Sequence, residues 1–190
     1  MYEVRFHGRG GQGAVTAAAM LAAALLEEGK YAVSIPSFGF ERRGAPVVSF
    51  LRCSDREIRQ LTNIYTPDCL ICVDPTLARS VDIFAGLKQG GTLVQATSKP
   101  LDEVVMADTV GVAGLCDAIA IALEIFKRPI TNTLMLGAFA RTTGVVSLDA
   151  LKRSLEDSDF RDAGLKQNLL ALERGYHETT VHTIERRVAA

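Results

Sequence analysis

Two rhythms of apolar residues divide the chain. Short apolar runs bounded by polar residues or turn formers read as strands at Val4 to Phe6, Tyr31 to Ile35, Val47 to Arg52, Asp68 to Asp74 and Thr92 to Gln95. Longer runs with helical spacing predict helices from Ala14 to Leu26, Leu77 to Leu87, Val112 to Phe126, Thr133 to Ala140, Leu148 to Leu155 and Leu165 to Tyr176. Punctuation supports several of these boundaries. Gly29 is placed to close the first helix, Pro129 to Asn132 gives a break and a cap, and Ser147 caps the short helix after Gly144. Ile58 to Ile64 has no clear period, and Val104 to Met106 is a candidate edge strand. The interior of Asp68 to Asp74 is apolar throughout, as expected of a central strand covered on both faces. Strands alternating with helices predict an α/β chain, a mostly parallel sheet with flanking helices and a C-terminal helical arm. A chain of 190 residues suits one such domain, with 177–190 as a tail.

The first strand-to-helix turn carries the most chemistry. His7-Gly8-Arg9-Gly10-Gly11-Gln12-Gly13 sets a row of backbone N–H groups at a helix N-terminus, where an anion can sit without meeting a side chain. The spacing Gly8-x-Gly10-x-x-Gly13 fits the dinucleotide fingerprint of a Rossmann-like fold. A tight turn needing positive φ selects glycine with no ligand present, so both readings stand. Enzymes that bind NAD on this fold place an acid at the end of the second strand. Here that position is Ser34-Ile35-Pro36-Ser37, which argues against NAD and leaves the phosphate cradle intact. The following loop, Pro36 to Pro46, belongs at the same carboxyl edge, so Arg42 or Arg43 is placed to reach a phosphate or a partner's carboxylate. Pairing of those arginines with Glu41 and its neighbours is the alternative. Asp74, at a strand end, is placed either to accept from a bound hydroxyl or simply to cap the turn at Pro75.

Composition narrows the function further. A net charge of −1 and a pI near 6.3 provide no basic field for nucleic acid or an anionic membrane. The hydrophobic share of 48% and a mean hydropathy of +0.17 point to surface buried against other chains. The longest apolar run, Ala14 to Leu26, falls short of the roughly 18–20 residues that span a bilayer. Met1 to Arg5 runs straight into a strand without a secretory pattern, so a cytoplasmic location is expected. Cys53, Cys69, Cys72 and Cys116 are then reduced thiols. Cys69 and Cys72 stand three apart in a strand, on opposite faces, which suits core thiols better than a metal or redox pair. His7 alone among the three histidines is placed for a site role, with a structural histidine as the alternative; His177 and His182 fall in the tail. No nucleophile with its base, carboxylate pair, metal set or Walker lysine stands out, so no residue is assigned a catalytic role. The residues themselves describe a phosphate- or nucleotide-binding module without its own catalytic set.

Four stretches in order carry a family resemblance: His7 to Thr16, Pro36 to Pro46, Asn132 to Phe139, and Asn168 to Tyr176. Together they resemble the gamma subunit of the 2-oxoacid:acceptor oxidoreductases, the family of pyruvate:ferredoxin oxidoreductase. The resemblance implies a subunit that packs on thiamine-binding alpha and beta subunits and helps hold coenzyme A. Thiamine diphosphate, Mg and iron–sulfur clusters would belong to partner subunits, including an iron–sulfur subunit, and the isolated chain would be inactive. The residues so implied for coenzyme A are Gly8, Arg9, Gly10, Gly11, Gln12 and Gly13, with Arg42 and Arg43. Pyruvate, a branched or aromatic oxoacid such as phenylglyoxylate, and 2-oxoglutarate are all open as substrates. Ferredoxin, or NAD through a further flavin subunit, is open as acceptor. A purely structural subunit and an independent nucleotide-dependent oxidoreductase are the competing readings.

Overall fold

The computed structural model describes residues 1–37, 44–157 and 164–185. Among these, seven strands form one sheet in the order β2-β3-β1-β4-β5-β6-β7. They are β1 (Tyr2–Arg9), β2 (Tyr31–Pro36), β3 (Pro46–Ser54), β4 (Cys69–Cys72), β5 (Gly91–Ala96), β6 (Val110–Cys116) and β7 (Thr180–Thr183). β1, β4, β5 and β6 are mutually parallel, while β3 and β7 run against their neighbours. The mostly parallel sheet expected from the sequence is therefore present. β3 is inserted between β1 and β2, which returns the chain to the glycine turn: Pro46 pairs with Arg9, Gly44 N–H donates to Gly10 O (3.2 Å) and Gly10 N–H to Ala45 O (2.9 Å).

The helices are α1 (Ala14–Glu27), α2 (Ala118–Phe126), α3 (Asn132–Thr143), α4 (Leu148–Glu156) and α5 (Leu165–His177). All five contribute to one hydrophobic core that includes Val4 and Phe6 of β1, Leu51 of β3 and Ile71 of β4. The opposite face of the sheet is covered by irregular chain, through Leu77, Ile83, Leu87 and Val104. Cys69 joins the helical side and Cys72 the other, so the two thiols are core residues on opposite faces. Burial holds all four thiols protonated, that of Cys116 near a pKa of about 11 and that of Cys72 near about 12.

Four expectations fail locally. The run Leu77 to Leu87 is not a helix: a single 3-10 turn, Leu77–Arg79, gives way to irregular chain. Asp82 accepts from the N–H of Phe84 (3.0 Å), and Gly86, at φ 75°, sits where a Cβ would overlap the carbonyl oxygen of Tyr65. The run Val112 to Phe126 is strand and then helix, split at Asp117, whose carboxylate accepts from Ala120 N–H and caps α2. Val104 to Met106 is not an edge strand; the edge is β7, from the segment expected to be tail. Nor does α5 extend as an arm. It crosses α3 so closely that a Cβ on Gly137 would lie 2.1 Å from Leu172 O, and one on Gly175 2.1 Å from Leu134 O. Among the described residues no helix is long and apolar enough to cross a membrane.

Candidate anion-binding site

After β1 the chain turns to one side of the sheet through α1, and after β4 to the other. The crevice between their carboxyl ends is the switch point where open α/β sheets hold ligands. A cavity of about 520 Å³ lies there, walled by Gly10 to Gly13, by Asp74 to Thr76 and by the start of α3.

The glycines of the turn have different reasons to be there. A Cβ on Gly8 would press on Val73 at 2.8 Å and on Ala14 at 3.1 Å, so Gly8 is a packing residue. Gly13 has φ 77° and faces the Asn132 amide, 2.8 Å from the position of a Cβ. Gly11 has φ 92° and nothing within 4 Å of its Cβ position. Of the four N–H groups from Gly10 to Gly13, two are already used: Gly10 donates to Ala45 O and Gln12 to Arg9 O. This corrects the picture of an unbroken row of donors. The N–H groups of Gly11 and Gly13 have no partner among the described residues. They lead into α1, which has no side-chain cap and no acid in its first turn. The N-terminus of α3 opens on the same cavity and also lacks a side-chain cap, because the hydroxyl of Thr131 donates to Val73 O (3.3 Å). Two helix dipoles thus direct their positive ends at one space.

Arg9 and Gln12 brace the turn from behind. Arg9 Nε and Gln12 Nε2 donate to Asp74 Oδ2 at 3.0 and 2.8 Å, Arg9 Nη2 donates to Thr76 Oγ1 at 3.0 Å, and Gln12 Oε1 accepts from Arg9 N–H at 2.7 Å. Thr76 donates its N–H and hydroxyl to Asp74 Oδ1. Burial alone would raise the Asp74 pKa, but the bonds from Thr76 and Gln12 and the charge of Arg9 together hold it below the usual carboxylate range. Asp74 is therefore both a strand-end cap and the hub of the turn. His7 is structural: 5% exposed, it accepts at Nε2 from Arg5 Nε (3.0 Å), and burial with the Arg5 charge lowers its pKa to about 3. Of the residues expected from the sequence, Gly10, Gly11, Gln12 and Gly13 line the cavity, while Gly8 packs beneath the turn and Arg9 braces it; Arg42 and Arg43 lie outside the described residues.

Asn132, read in the sequence as part of a helix cap, had no role in the site there; the cap position is Thr131 and Asn132 is the first residue of α3. It is 7% exposed, lines the cavity, and leaves its Oδ1 buried without a hydrogen-bond partner among the described residues. A buried acceptor in that state is available to a donor from a molecule in the cavity. Its sequence signal was its place at the break before α3, where the third family stretch begins.

The family model described as pyruvate ferredoxin/flavodoxin oxidoreductase matches residues 3–178. The chain belongs to that family. It is 78% identical over 190 residues to the NADH-dependent phenylglyoxylate dehydrogenase subunit gamma of Aromatoleum evansii, covering 100% of both chains. It is 47% identical over 186 residues to the pyruvate/ketoisovalerate oxidoreductases common subunit gamma of Thermococcus kodakarensis, covering 97% of this chain and 100% of the other. Among solved structures it resembles the pyruvate oxidoreductase subunit PORC of Thermotoga maritima. The TM-score is 0.82 and the identity 39%, over 95% of this chain and 97% of that one. Within the pyruvate ferredoxin/flavodoxin oxidoreductase family this is a gamma-type chain, as the four sequence stretches indicated.

Proposed function

We propose that this chain is the coenzyme A-holding gamma subunit of a multi-subunit 2-oxoacid oxidoreductase that converts a 2-oxoacid and coenzyme A to acyl-CoA, CO2 and reduced acceptor. One observation carries the reading: a cavity at the switch point receives two uncapped helix N-termini and a buried, unpartnered Asn132 Oδ1. Coenzyme A has what both features require. Its phosphates suit the N–H groups of Gly11, Gly13 and the first turn of α1, with Arg128 on the rim; Arg42 and Arg43 are candidates from the sequence alone. Its hydroxyl and amino groups suit Asn132 as donors. Arg9 and Gln12 serve that site by fixing the turn through Asp74. The chain supplies binding and orientation; thiamine diphosphate with its Mg, and the iron–sulfur clusters, belong to alpha, beta and iron–sulfur subunits. A flavin subunit would be needed where NAD is the acceptor. The isolated chain is inactive in this reading.

The full-length identity of 78% to a phenylglyoxylate dehydrogenase subunit, against 47% to a pyruvate/ketoisovalerate subunit, favours an aromatic 2-oxoacid and a nicotinamide acceptor for the assembly. The test is to purify the native complex and assay phenylglyoxylate, pyruvate, 2-oxoisovalerate and 2-oxoglutarate with coenzyme A. Coenzyme A-dependent oxidation of phenylglyoxylate above the others is expected. A complex that prefers an aliphatic oxoacid would overturn the substrate assignment, and one that needs no coenzyme A would overturn the function.

A further inference from the structure

A second cavity, of about 450 Å³, opens at the carboxyl edge of β4, β5 and β6. It shares Pro75, Thr76 and Ile119 with the glycine-turn cavity, so the two adjoin. Gln95, next to the end of β5, lines it at 4% exposure and leaves its Oε1 buried with no partner. Among the described residues four buried side-chain polar atoms lack a partner, and two of them, Asn132 Oδ1 and Gln95 Oε1, belong to these adjoining cavities. Both are acceptors that await a donor.

The two spaces differ in charge. The helix end at the second cavity, that of α2, is already capped by Asp117. Asp117 and Glu103 balance Lys99 and Arg79 on its walls, and Lys99 pairs with Glu103 at 3.6 Å. Val104, Ile119 and Leu123 supply apolar wall. An uncharged, largely apolar chain with amide donors fits such a space, whereas phosphates belong at the uncapped helix ends next door.

We propose that the second cavity takes the pantetheine arm of coenzyme A, with Gln95 Oε1 accepting from an amide N–H of the arm. The proposal rests on the coenzyme A reading of the first cavity. It makes Gln95 a binding residue and directs the thiol away from the glycine turn along the edge of the sheet.

The test uses the assembled complex and two ligands, coenzyme A and adenosine 3′,5′-bisphosphate, which lacks the arm. Two variants probe the second cavity: Gln95→Leu removes the acceptor, and Ala120→Phe fills the space from an exposed position on α2. Each is expected to weaken coenzyme A binding about tenfold, the equivalent of one lost hydrogen bond to a buried group, and to leave the bisphosphate unaffected. Gly11→Asn probes the first cavity and is expected to weaken both ligands. If coenzyme A binds both second-cavity variants as it binds the native complex, while Gly11→Asn weakens it, the arm lies elsewhere and only this inference fails. If the second-cavity variants weaken the bisphosphate as much as coenzyme A, the adenosine end occupies the space and the inference is again overturned. If Gly11→Asn also leaves both ligands unchanged, the coenzyme A reading of the first cavity fails.

Discussion

His7 and Asp74 show how much of the turn is settled by single side chains. Arg5 donates to His7 Nε2 and to the carbonyl oxygens of Ile83 and Ala85 at 2.8 and 2.7 Å, so the imidazole is a neutral acceptor within a buried network. Its pKa near 3 in the folded chain lies below the ordinary 6.5. Between those values the unfolded chain binds a proton that the folded chain does not. Stability therefore falls with falling pH, at up to about 1.4 kcal/mol per pH unit. Asp74, whose carboxyl is held low, adds a loss in the same direction once the pH reaches its own range. His7→Gln keeps an acceptor for Arg5 and cannot titrate. The urea midpoint of this variant is expected to change less than the native one between pH 7 and pH 5; parallel pH profiles would show that His7 titrates normally. Asp74 was weighed in the sequence as cap or ligand group, and neither alternative foresaw Arg9 and Gln12 turning inward to it, because that contact depends on where β4 ends relative to β1.

At the scale of elements, glycines and arginines decide what apolar periodicity leaves open. A continuous apolar run suits a buried strand as well as a buried helix, which is why Val112 to Phe126 read as one helix when Asp117 divides it in two. Gly114 belongs to the strand half, where a Cβ would lie 1.9 Å from Thr142 Oγ1. The crossing of α3 and α5 depends on Gly137 and Gly175 in the same way. Gly175→Ala forces the two backbones apart and is expected to cost about 2–3 kcal/mol in chemical denaturation; a neutral effect would mean the helices are not in contact there. Irregular chain on the other face of the sheet is held by arginines. Arg52, 3% exposed, pairs with Glu3 at 2.8 Å and donates to the carbonyl oxygens of Gln60, Thr62 and Asn63. That anchoring explains why Ile58 to Ile64 showed no period yet buries Ile64. Arg52→Met leaves Glu3 and three carbonyls without their donor and is expected to destabilise the chain by about 3 kcal/mol, read from the denaturant midpoint. A loss below about 0.5 kcal/mol, typical of surface changes, would place the ion pair among the inconsequential ones.

For the whole molecule, the order β2-β3-β1-β4-β5-β6-β7 brings one glycine turn, one strand-end aspartate and two helix ends to a single crevice. The turn was legible because its main requirement is local, positive φ at Gly11 and Gly13. Gamma-subunit membership was legible from four ordered stretches. Asn132 and Gln95 were not, since a polar atom becomes an orphan only through everything that surrounds it in three dimensions. The edge strand β7 was hidden for a related reason: Thr180 to Thr183 is short and half polar, and it becomes a strand by pairing with β6. In the proposed reading the chemistry belongs to other chains and this one contributes an anion site at the switch point. The dissociation constant of coenzyme A for the assembled complex, native against Gly11→Asn, tests that directly. Asparagine tolerates positive φ better than most side chains and projects into the open space above Gly11; φ 92° still strains it, so assembly of the variant is verified alongside binding. At least tenfold weaker binding is the result this account predicts; an unchanged dissociation constant in a fully assembled complex would contradict it.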